Sequence, residues 1–386
     1  MNIIQRVWDA LPCHGPNSNK KAYKTVMGMA VMMLVLVLMA GCGGEEAAEN
    51  GKPLDVTINT NRVSSALTVL GENAGFYKEE GIDVNLHVMN VAYADILSAL
   101  TSGKVEATTG GVGSTAPLRM IEGGSDFVII GGQMSKGADI VTLPERADEW
   151  KPENLTAEKL AGKKIGVVRT ASGDIALRGA LSRKGIDLST IQFVELGNEP
   201  AIIEAIKKGE LDAGNVQANL RDTAHQSGLV SALHIDDLSP DFICCRIITT
   251  PANLQARRAD FVKFLRAQLK AYRLIHTDEE KALPLIHQSI EVDPVVLKSQ
   301  VFEDEHLGLN PDPAKLRVEE FYDSMKRVGY IEGNVNIDDH IDATLYQEAL
   351  ASLLAEEPDD PTWNALKAEY IKNDGPWPDE KAGGDV

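Results

Sequence analysis

Hydroxyl, amide and guanidinium side chains are concentrated in short segments that precede helical patterns, several of them with glycine. Such segments can bind a small anion, because glycine lets the backbone approach a ligand and a helix N-terminus offers unpaired N–H groups. Arg62 and Arg169 lie in corresponding segments and could neutralise an acidic group. We predict ligand contacts at Asn61, Arg62, Ser64, Tyr93, Gly113, Ser114, Thr115, Gln133, Arg169, Thr170, Ser172, Gly173, Asn215 and Gln217. A purely structural role stays open for the serines and threonines, since both are preferred helix N-caps.

Motifs for covalent chemistry are missing from the sequence. The run Gly110–Thr115 is not followed by the Gly-Lys-Ser/Thr of a phosphate-binding loop. No Gly-x-Ser-x-Gly nucleophile motif occurs, and the eight histidines do not have metal-ligand spacing. We therefore predict no catalytic residue, no cofactor and no metal site. The pair Cys244-Cys245 is open to three interpretations: a strained disulfide, a thiol pair near a hinge, or two small buried residues of a strand.

A repeated pattern organises the elements that must position these residues. In each copy a helical pattern ends at a glycine (Gly81, Gly185), Ile-Asp opens a strand, and a second helical pattern ends at another glycine (Gly103, Gly209). The predicted strands are Asp55–Asn59, Val84–Met89, Ala107–Gly110 and Phe127–Gly131 in copy one, and Lys164–Val168, Gln192–Leu196, Ala213–Val216 and Ala232–Ile235 in copy two. The helices between them include Ala66–Lys78, Thr115–Glu122, Asp174–Lys184 and Pro200–Lys207. This alternation predicts an α/β fold with one parallel sheet in each of two lobes.

Two such lobes define a site between them. Ligands of open parallel sheets bind beyond the carboxyl ends of the strands, and crossing segments set two of these edges against each other. We assign residues 1–41 to a signal peptide, 42–53 to a tether, 54–141 and 250–355 to the first lobe with its C-terminal helices, 142–249 to the second lobe with a connector and a return strand, and 356–386 to an acidic C-terminal extension.

The N-terminus predicts export. A basic segment precedes the apolar run Val26–Ala40, which has fifteen residues and is short for a membrane span of about 20. The run ends in Leu38-Met39-Ala40-Gly41-Cys42, which looks like a bacterial lipobox and makes Cys42 the predicted lipidation site. The alternative is an uncleaved anchor helix. Either interpretation places the remaining chain outside the cytoplasmic membrane, on the periplasmic side or at the cell surface.

Composition narrows the classes of partner. The 386 residues include 57 acidic and 38 basic side chains, a formal net charge of −19. This excess argues against nucleic-acid binding and against attachment through anionic lipid headgroups. Four cysteines cannot form a disulfide scaffold in a chain of this length. We expect a monomer that binds a small molecule.

Several motifs together resemble a known family. They are Gly75-Phe76-Tyr77-Lys78-Glu79-Glu80-Gly81-Ile82-Asp83-Val84, Ser102-Gly103-Lys104-Val105-Glu106-Ala107, the run 110–117 and the segment 329–338. Over residues 54–350 the chain resembles the nitrate/sulfonate/taurine and thiamine-precursor class of periplasmic substrate-binding proteins. The resemblance implies a fold of two Rossmann-like lobes joined by a hinge (periplasmic binding protein-like II), ligand contacts at the loops that match Gly113–Thr115 and Arg169–Asp174, and an ABC transporter permease and ATPase as partners. The chain departs from the family around Asn215–Ala218, where a proline and an aromatic residue are usual, and beyond Glu356.

The resulting hypothesis is a lipid-anchored receptor, not an enzyme, that delivers a solute to an ABC importer. The low aromatic content, 5%, favours a small oxyanion or sulfonate as the ligand. The alternatives are a receptor for a thiamine pyrimidine precursor, an enzyme on the same fold, and a sensor without transport.

Overall fold

Two β-sheets form the framework of the protein. The computed structural model describes residues 51–169, 171–240 and 242–378. The strands are β1 (Leu54–Ile58), β2 (Val84–Val88), β3 (Ala107–Thr108), β4 (Val128–Lys136), β5 (Ala138–Thr142), β6 (Lys164–Val167), β7 (Gln192–Glu195), β8 (Ala213–Gln217), β9 (Val230–His234), β10 (Ile243–Thr249) and β11 (Leu307–Leu309).

Helices flank both sheets. The α-helices are α1 (Ala66–Asn73), α2 (Phe76–Glu79), α3 (Tyr93–Thr101), α4 (Thr115–Glu122), α5 (Ala157–Leu160), α6 (Ser172–Arg183), α7 (Glu199–Lys207), α8 (Ala218–Gln226), α9 (Pro251–Thr277), α10 (Glu279–His287), α11 (Pro294–Lys298), α12 (Lys315–Arg327), α13 (Thr344–Glu356) and α14 (Pro361–Asn373). Single 3-10 segments cover Val63–Ser65, Pro144–Trp150, Pro152–Asn154, Leu188–Thr190, Ile235–Asp237 and Ile337–His340, and a π-helical turn covers Ser299–Glu303. Within the described residues, no helix has the length and apolar character needed to cross a membrane.

Local sequence explains where several helices begin and end. Asn198 caps α7 by accepting a hydrogen bond from the N–H of Ala201 (3.0 Å), and Asp360 caps α14 in the same way. Proline follows Asp360 at the first helical position, where its missing N–H costs nothing. The helix predicted over Thr115–Glu122 has those bounds. The one predicted over Ala66–Lys78 is interrupted at Gly75, whose left-handed φ of 80° separates α1 from α2.

The repeat read from the sequence appears as the same strand order in both sheets. The first sheet has the order β2-β1-β3-β10-β4-β11, and the second has the order β7-β6-β8-β5-β9. In each, the first three strands are parallel, whereas β10 and β5 run antiparallel to their neighbours. The predicted two-sheet α/β fold is confirmed, and the expectation of purely parallel sheets is wrong, because each sheet contains a strand that arrives from the other.

The chain crosses between the sheets twice. β4 of the first sheet runs into β5 of the second through Gly137, which has a φ of 78°. β9 returns to β10 through the turn Ile235–Asp237. Residues 138–141, assigned to the first lobe from the sequence, therefore lie in the second sheet, and the return strand 243–249 lies in the first. The local pattern of a strand does not reveal which sheet edge it joins; the remaining lobe limits stay a prediction.

A charged cluster ties the sheets together near these crossings. Asp139 of β5 is fully buried and accepts hydrogen bonds from Arg221 and from His234 Nδ1 (3.0 Å). Arg221 also pairs with Asp304, which lies just before β11 of the first sheet. The His234 ring stacks on His306 with a centroid distance of 3.5 Å. Burial favours a higher pKa for Asp139, but the hydrogen bonds from His234 and Arg221 outweigh it and lower the pKa.

The C-terminal segment belongs to the core of the first lobe. Trp363, Leu366 and Tyr370 of α14 are buried in one cluster with Leu54 and Val56 of β1. The acidic extension predicted beyond Glu356 thus contains an amphipathic helix that adds to the hydrophobic core.

Candidate functional site: a cavity between the sheets

A cavity of about 310 Å³ lies between the two sheets, where loops from both of them meet. Its volume is at the small end of known ligand sites, about 300–1,000 Å³, and suits a small solute. The wall consists of Arg62, Val63, Ser64, Tyr93, Gly111, Gly113, Met134, Val168, Arg169, Ala171, Ser172, Gly197, Asn198, Glu199, Gln217, Ala218, Asn219, Cys244, Cys245, Gln300 and Leu307.

Half of the residues predicted from the sequence line this cavity. They are Arg62, Ser64, Tyr93, Gly113, Arg169, Ser172 and Gln217. The first four belong to the first lobe, and the last three follow or end strands of the second sheet. The cavity therefore lies where the loops after the repeated strands face each other, which is the place the strand-end argument indicates.

Arg62 supplies the cationic group of the first lobe. It directly follows the loop after β1, and its Nη1 donates a hydrogen bond to Tyr93 Oη (3.2 Å). No salt bridge of Arg62 with a carboxylate of the described residues is found, so its remaining guanidinium donors are not committed to one. A guanidinium held in this way can form charge-assisted hydrogen bonds with an anionic ligand.

Arg169 is placed differently from its counterpart in the repeat. Its Nη1 pairs with Glu195 Oε2 (3.3 Å), and its guanidinium carbon lies 5.5 Å from the centre of the Tyr330 ring. The side chain is 63% exposed. Because Arg169 already has an anionic partner, Arg62 is the better candidate for the anion-binding group.

The wall on the second-lobe side carries an acid and a free amide. Glu199 begins α7, and burial raises the pKa of its carboxyl although the charge of Arg62 acts in the opposite direction. The amide Nε2 of Gln217 is buried without a hydrogen-bond partner in the described residues. A buried donor without a partner is unfavourable, so a ligand acceptor at this point would be stabilising.

The loop that contains Gly113 packs against the second lobe. A Cβ atom added to Gly113 would lie 3.3 Å from Ser172 Oγ of the second lobe. Gly113 also forms an antiparallel bridge with Cys245 at the start of β10. Nearby Gly111 has a φ of 86°, and a Cβ there would lie 2.8 Å from the Cβ of Asn59. Glycine at 111 thus lets the loop pack against Asn59 of its own lobe, and glycine at 113 lets it approach Ser172 of the second lobe.

Three predicted residues have their side chains in internal hydrogen bonds instead of in the cavity wall. Ser114 Oγ donates to the carbonyl oxygen of Cys244 (2.8 Å), and Gln133 Nε2 donates to Gln268 Oε1 (2.9 Å). Asn215 Nδ2 donates to the carbonyl oxygen of Asp139 (3.3 Å). All three are buried, and their bonds hold strands and loops in place.

The other predicted residues also lie outside the wall. Thr115 is buried in the first turn of α4, and Asn61 is exposed. Gly173 packs closely, since an added Cβ would lie 2.6 Å from the Cβ of Ala138. Thr170 and the predicted lipidation site Cys42 lie outside the described residues, as do the signal peptide and most of the tether.

Sequence reasoning did not select several wall residues. Glu199 follows the second strand of copy two, as Tyr93 follows that of copy one, so the repeat contained a signal for it. Gln300 and Leu307 come from the C-terminal region, and no local pattern indicates them. Gln300 Nε2 donates to the carbonyl oxygen of Ala218 (3.2 Å), a bond between the C-terminal helices and the second lobe.

Comparison with known proteins identifies the family. A family model described as NMT1/THI5 like matches residues 63–282. The chain belongs to this family. Over 239 residues it is 23% identical to a Brucella abortus protein provisionally named as a binding protein, covering 61% of this chain and 71% of that protein. The resemblance stated from the sequence motifs is confirmed.

Solved structures with the same fold include two periplasmic binding proteins. The aliphatic sulphonate binding protein SsuA from Escherichia coli has a TM-score of 0.61 at 18% identity, covering 76% of this chain and 99% of its own. The nitrate-binding protein NrtA from Synechocystis PCC 6803 has a TM-score of 0.61 at 15% identity, covering 78% and 89%. The desulfurization enzyme DSZB also matches, with a TM-score of 0.52 at 13% identity, covering 78% and 99%. This fold therefore occurs in both receptors and enzymes.

Proposed function

We propose that the protein is a receptor that captures a small anionic solute between its lobes and delivers it to an ABC importer. The observation that supports this most directly is the cavity itself, whose polar wall is shared by Arg62 of the first lobe and Gln217 of the second. Because the site is divided between two lobes, the lobes can capture a ligand by closing around it. Lipidation at Cys42 would keep the receptor at the membrane that holds the permease and ATPase.

The mechanism is a shift in an equilibrium between open and closed forms. A ligand that contacts both walls stabilises the closed form, because it binds the open form through one wall only. The narrow approach between Gly113 and Ser172 marks where the walls meet. The importer would then distinguish the closed from the open receptor.

The charges of the wall indicate how the ligand is oriented. Its anionic group belongs beside Arg62, and the carboxylate of Glu199 repels a second anionic group at the other wall. A sulfonate, nitrate or another small oxyanion can supply the anionic group beside Arg62. Glu199 and the Tyr93 ring favour a second candidate, a pyrimidine precursor of thiamine, because a carboxylate can accept hydrogen bonds from a ring amine.

Isothermal titration calorimetry with taurine, methanesulfonate, nitrate and an aminopyrimidine tests this proposal. We expect saturable binding of one anionic class, accompanied by a smaller radius of gyration in small-angle scattering. Binding of the aminopyrimidine alone would support the second candidate. Product formation during incubation with the bound compound would instead support an enzyme, and failure of every compound to bind would refute the assignment of the cavity.

A further inference from the structure

The cysteine pair at the start of β10 is a second chemical feature of the cavity. Cys244 and Cys245 are both free and buried, their sulfurs are 3.4 Å apart, and both residues line the cavity. Consecutive side chains of a regular strand point to opposite faces of the sheet. Two adjacent thiols that line one cavity therefore need a local departure from strand geometry.

A β-bulge supplies this departure. From Ile243 to Cys245, β10 advances by two residues while its partner β4 advances by one, from Ser135 to Met134. A bulge of this kind changes the direction of a side chain. The backbone around it is fixed, since the N–H and Oγ of Ser114 both bond to the carbonyl oxygen of Cys244, at 2.6 and 2.8 Å.

The surroundings favour one thiolate. A hydrogen bond from Cys244 lowers the pKa of Cys245, and the charges of Arg62 and Arg246 add to this effect. Arg246 is buried and donates to the carbonyl oxygen of Cys245 (2.9 Å). The pKa of Cys244 is raised by the same hydrogen bond and by burial. A thiolate next to a thiol is the usual state of a dithiol that reacts with thiophilic atoms.

The geometry disfavours two common uses of such a pair. A disulfide needs Cα atoms about 4.4–6.8 Å apart, whereas consecutive Cα atoms across a trans peptide are about 3.8 Å apart. A structural zinc ion needs four protein ligands. In the described part of the chain, no group of three or more His, Cys, Asp or Glu side chains is placed to hold a metal.

A single atom bonded to both sulfurs fits better. At a bond length of roughly 2.3 Å, as in zinc–thiolate bonds, sulfurs at the observed separation of 3.4 Å subtend an angle of about 95°. This angle is near that of a pyramidal trivalent centre and far from the linear arrangement of two-coordinate cations.

We propose that Cys244 and Cys245 form a dithiol site, within the wall of the cavity, that binds a trivalent thiophilic centre of the arsenical class. For a hydrated arsenical, R–As(OH)₂, two As–O bonds break and two As–S bonds form. The two hydroxyl groups leave as two water molecules: one takes the proton of the Cys244 thiol, the other takes a proton from the solvent where Cys245 is a thiolate, and no atom is oxidised or reduced. The site stands on the thiol pair and does not depend on the proposed transport function.

Phenylarsine oxide, which hydrates to such a compound, is the probe. The full chain is titrated under native conditions, with the free thiols counted colorimetrically and the bound product measured by native mass spectrometry. We expect one phenylarsenic group per chain and the loss of two thiols. The matched control is the double variant Cys244→Ser/Cys245→Ser, which leaves every other position of the sequence unchanged and should bind none tightly.

The single variants separate chelation from simple thiol reactivity. Cys244→Ser and Cys245→Ser should each weaken binding by at least about 100-fold, because the second bond no longer forms within one molecule. Cys244→Ala and Cys245→Ala check that this loss does not come from serine in a buried position, and circular dichroism checks folding. Single variants that bind as tightly as the unmodified chain, or a double variant that still takes up the probe, would overturn the proposal. Anion titration of the same preparations reports separately on the proposed receptor function.

Discussion

Replacing Arg62 by glutamine should abolish most of the affinity for an anionic ligand while leaving the fold intact. Arg62 is half-buried in the cavity wall, and it donates a hydrogen bond to Oη of Tyr93, a residue that is 37% exposed. Although the guanidinium is charged, this hydrogen bond is exposed to solvent, and exposed charged pairs contribute about 1 kcal/mol or less to stability. A hydrogen bond to a charged group contributes about 1.5–3 kcal/mol, which corresponds to a loss of affinity of about 10- to 150-fold.

The assay is calorimetric titration at pH 7.5 and fixed ionic strength with the anion that binds the unmodified protein. Arg62→Lys keeps the charge but lacks the planar set of donors, so its anion affinity should lie between that of the unmodified protein and that of Arg62→Gln. The matched control is Arg258→Gln, which removes a guanidinium from an exposed pair with Glu348 on the surface and should change neither affinity nor stability appreciably.

Two results would refute the reasoning. One is an affinity of Arg62→Gln within twofold of the unmodified protein, which would mean that the anion does not lie beside this guanidinium. The other is an equal loss in Arg258→Gln, which would show that the overall charge of the protein, and not a local contact, governs binding.

Four further outcomes follow from the structure. Protonation removes the charge of Glu199, whose pKa is raised by burial, so anion affinity should increase as the pH is lowered from neutral towards this raised pKa. Glu199→Gln should bind the anion more tightly at neutral pH and lose this dependence; a variant with the pH profile of the unmodified protein would contradict the role of Glu199. Ser172→Ala should weaken ligand binding with an unchanged melting temperature, because Ser172 lines the cavity. Ser114→Ala should lower the free energy of unfolding by about 0.5–1.5 kcal/mol, because its buried hydroxyl donates to a carbonyl oxygen. Calorimetry that shows weaker binding for Ser114→Ala and lower stability for Ser172→Ala would reverse these assignments. Asp139→Asn should reduce the free energy of unfolding by about 3–5 kcal/mol in urea titrations, since it removes the buried carboxylate shared by Arg221 and His234 and leaves Arg221 with Asp304 as its remaining partner. Because the pKa of Asp139 is lowered, the stabilisation of the unmodified protein should be present above pH 3.8 and decline as the pH falls further; a variant as stable as the unmodified protein would show that the Asp139 charge is not needed. Cys42→Ser should release the protein from the membrane fraction, and its continued sedimentation with membranes would favour the anchor-helix interpretation.

Much of the architecture follows from local patterns in the sequence. The bounds of α4 were predictable from periodicity. The glycines at 81, 103, 185 and 209 all have φ values near 70–80°, the left-handed backbone conformation expected of a glycine that ends an α-helix. Because the two copies share this pattern, they also share a strand order, and the general place of the cavity follows from it. These features depend on interactions between residues close in the chain, which is why the sequence alone determines them.

Contacts between distant segments decided which sheet certain strands join and which polar side chains face the cavity. Which sheet β5 or β10 joins depends on pairing with strands many tens of residues away for β5 and more than a hundred residues away for β10, which no local pattern contains. The same holds for Ser114, whose hydroxyl turned to the carbonyl of a residue 130 positions away, and for Glu199, which came to share a wall with Arg62. The sequence therefore determines which polar groups are available to a ligand. The packing of the two lobes decides which of these groups line the cavity and which form hydrogen bonds with one another inside the protein.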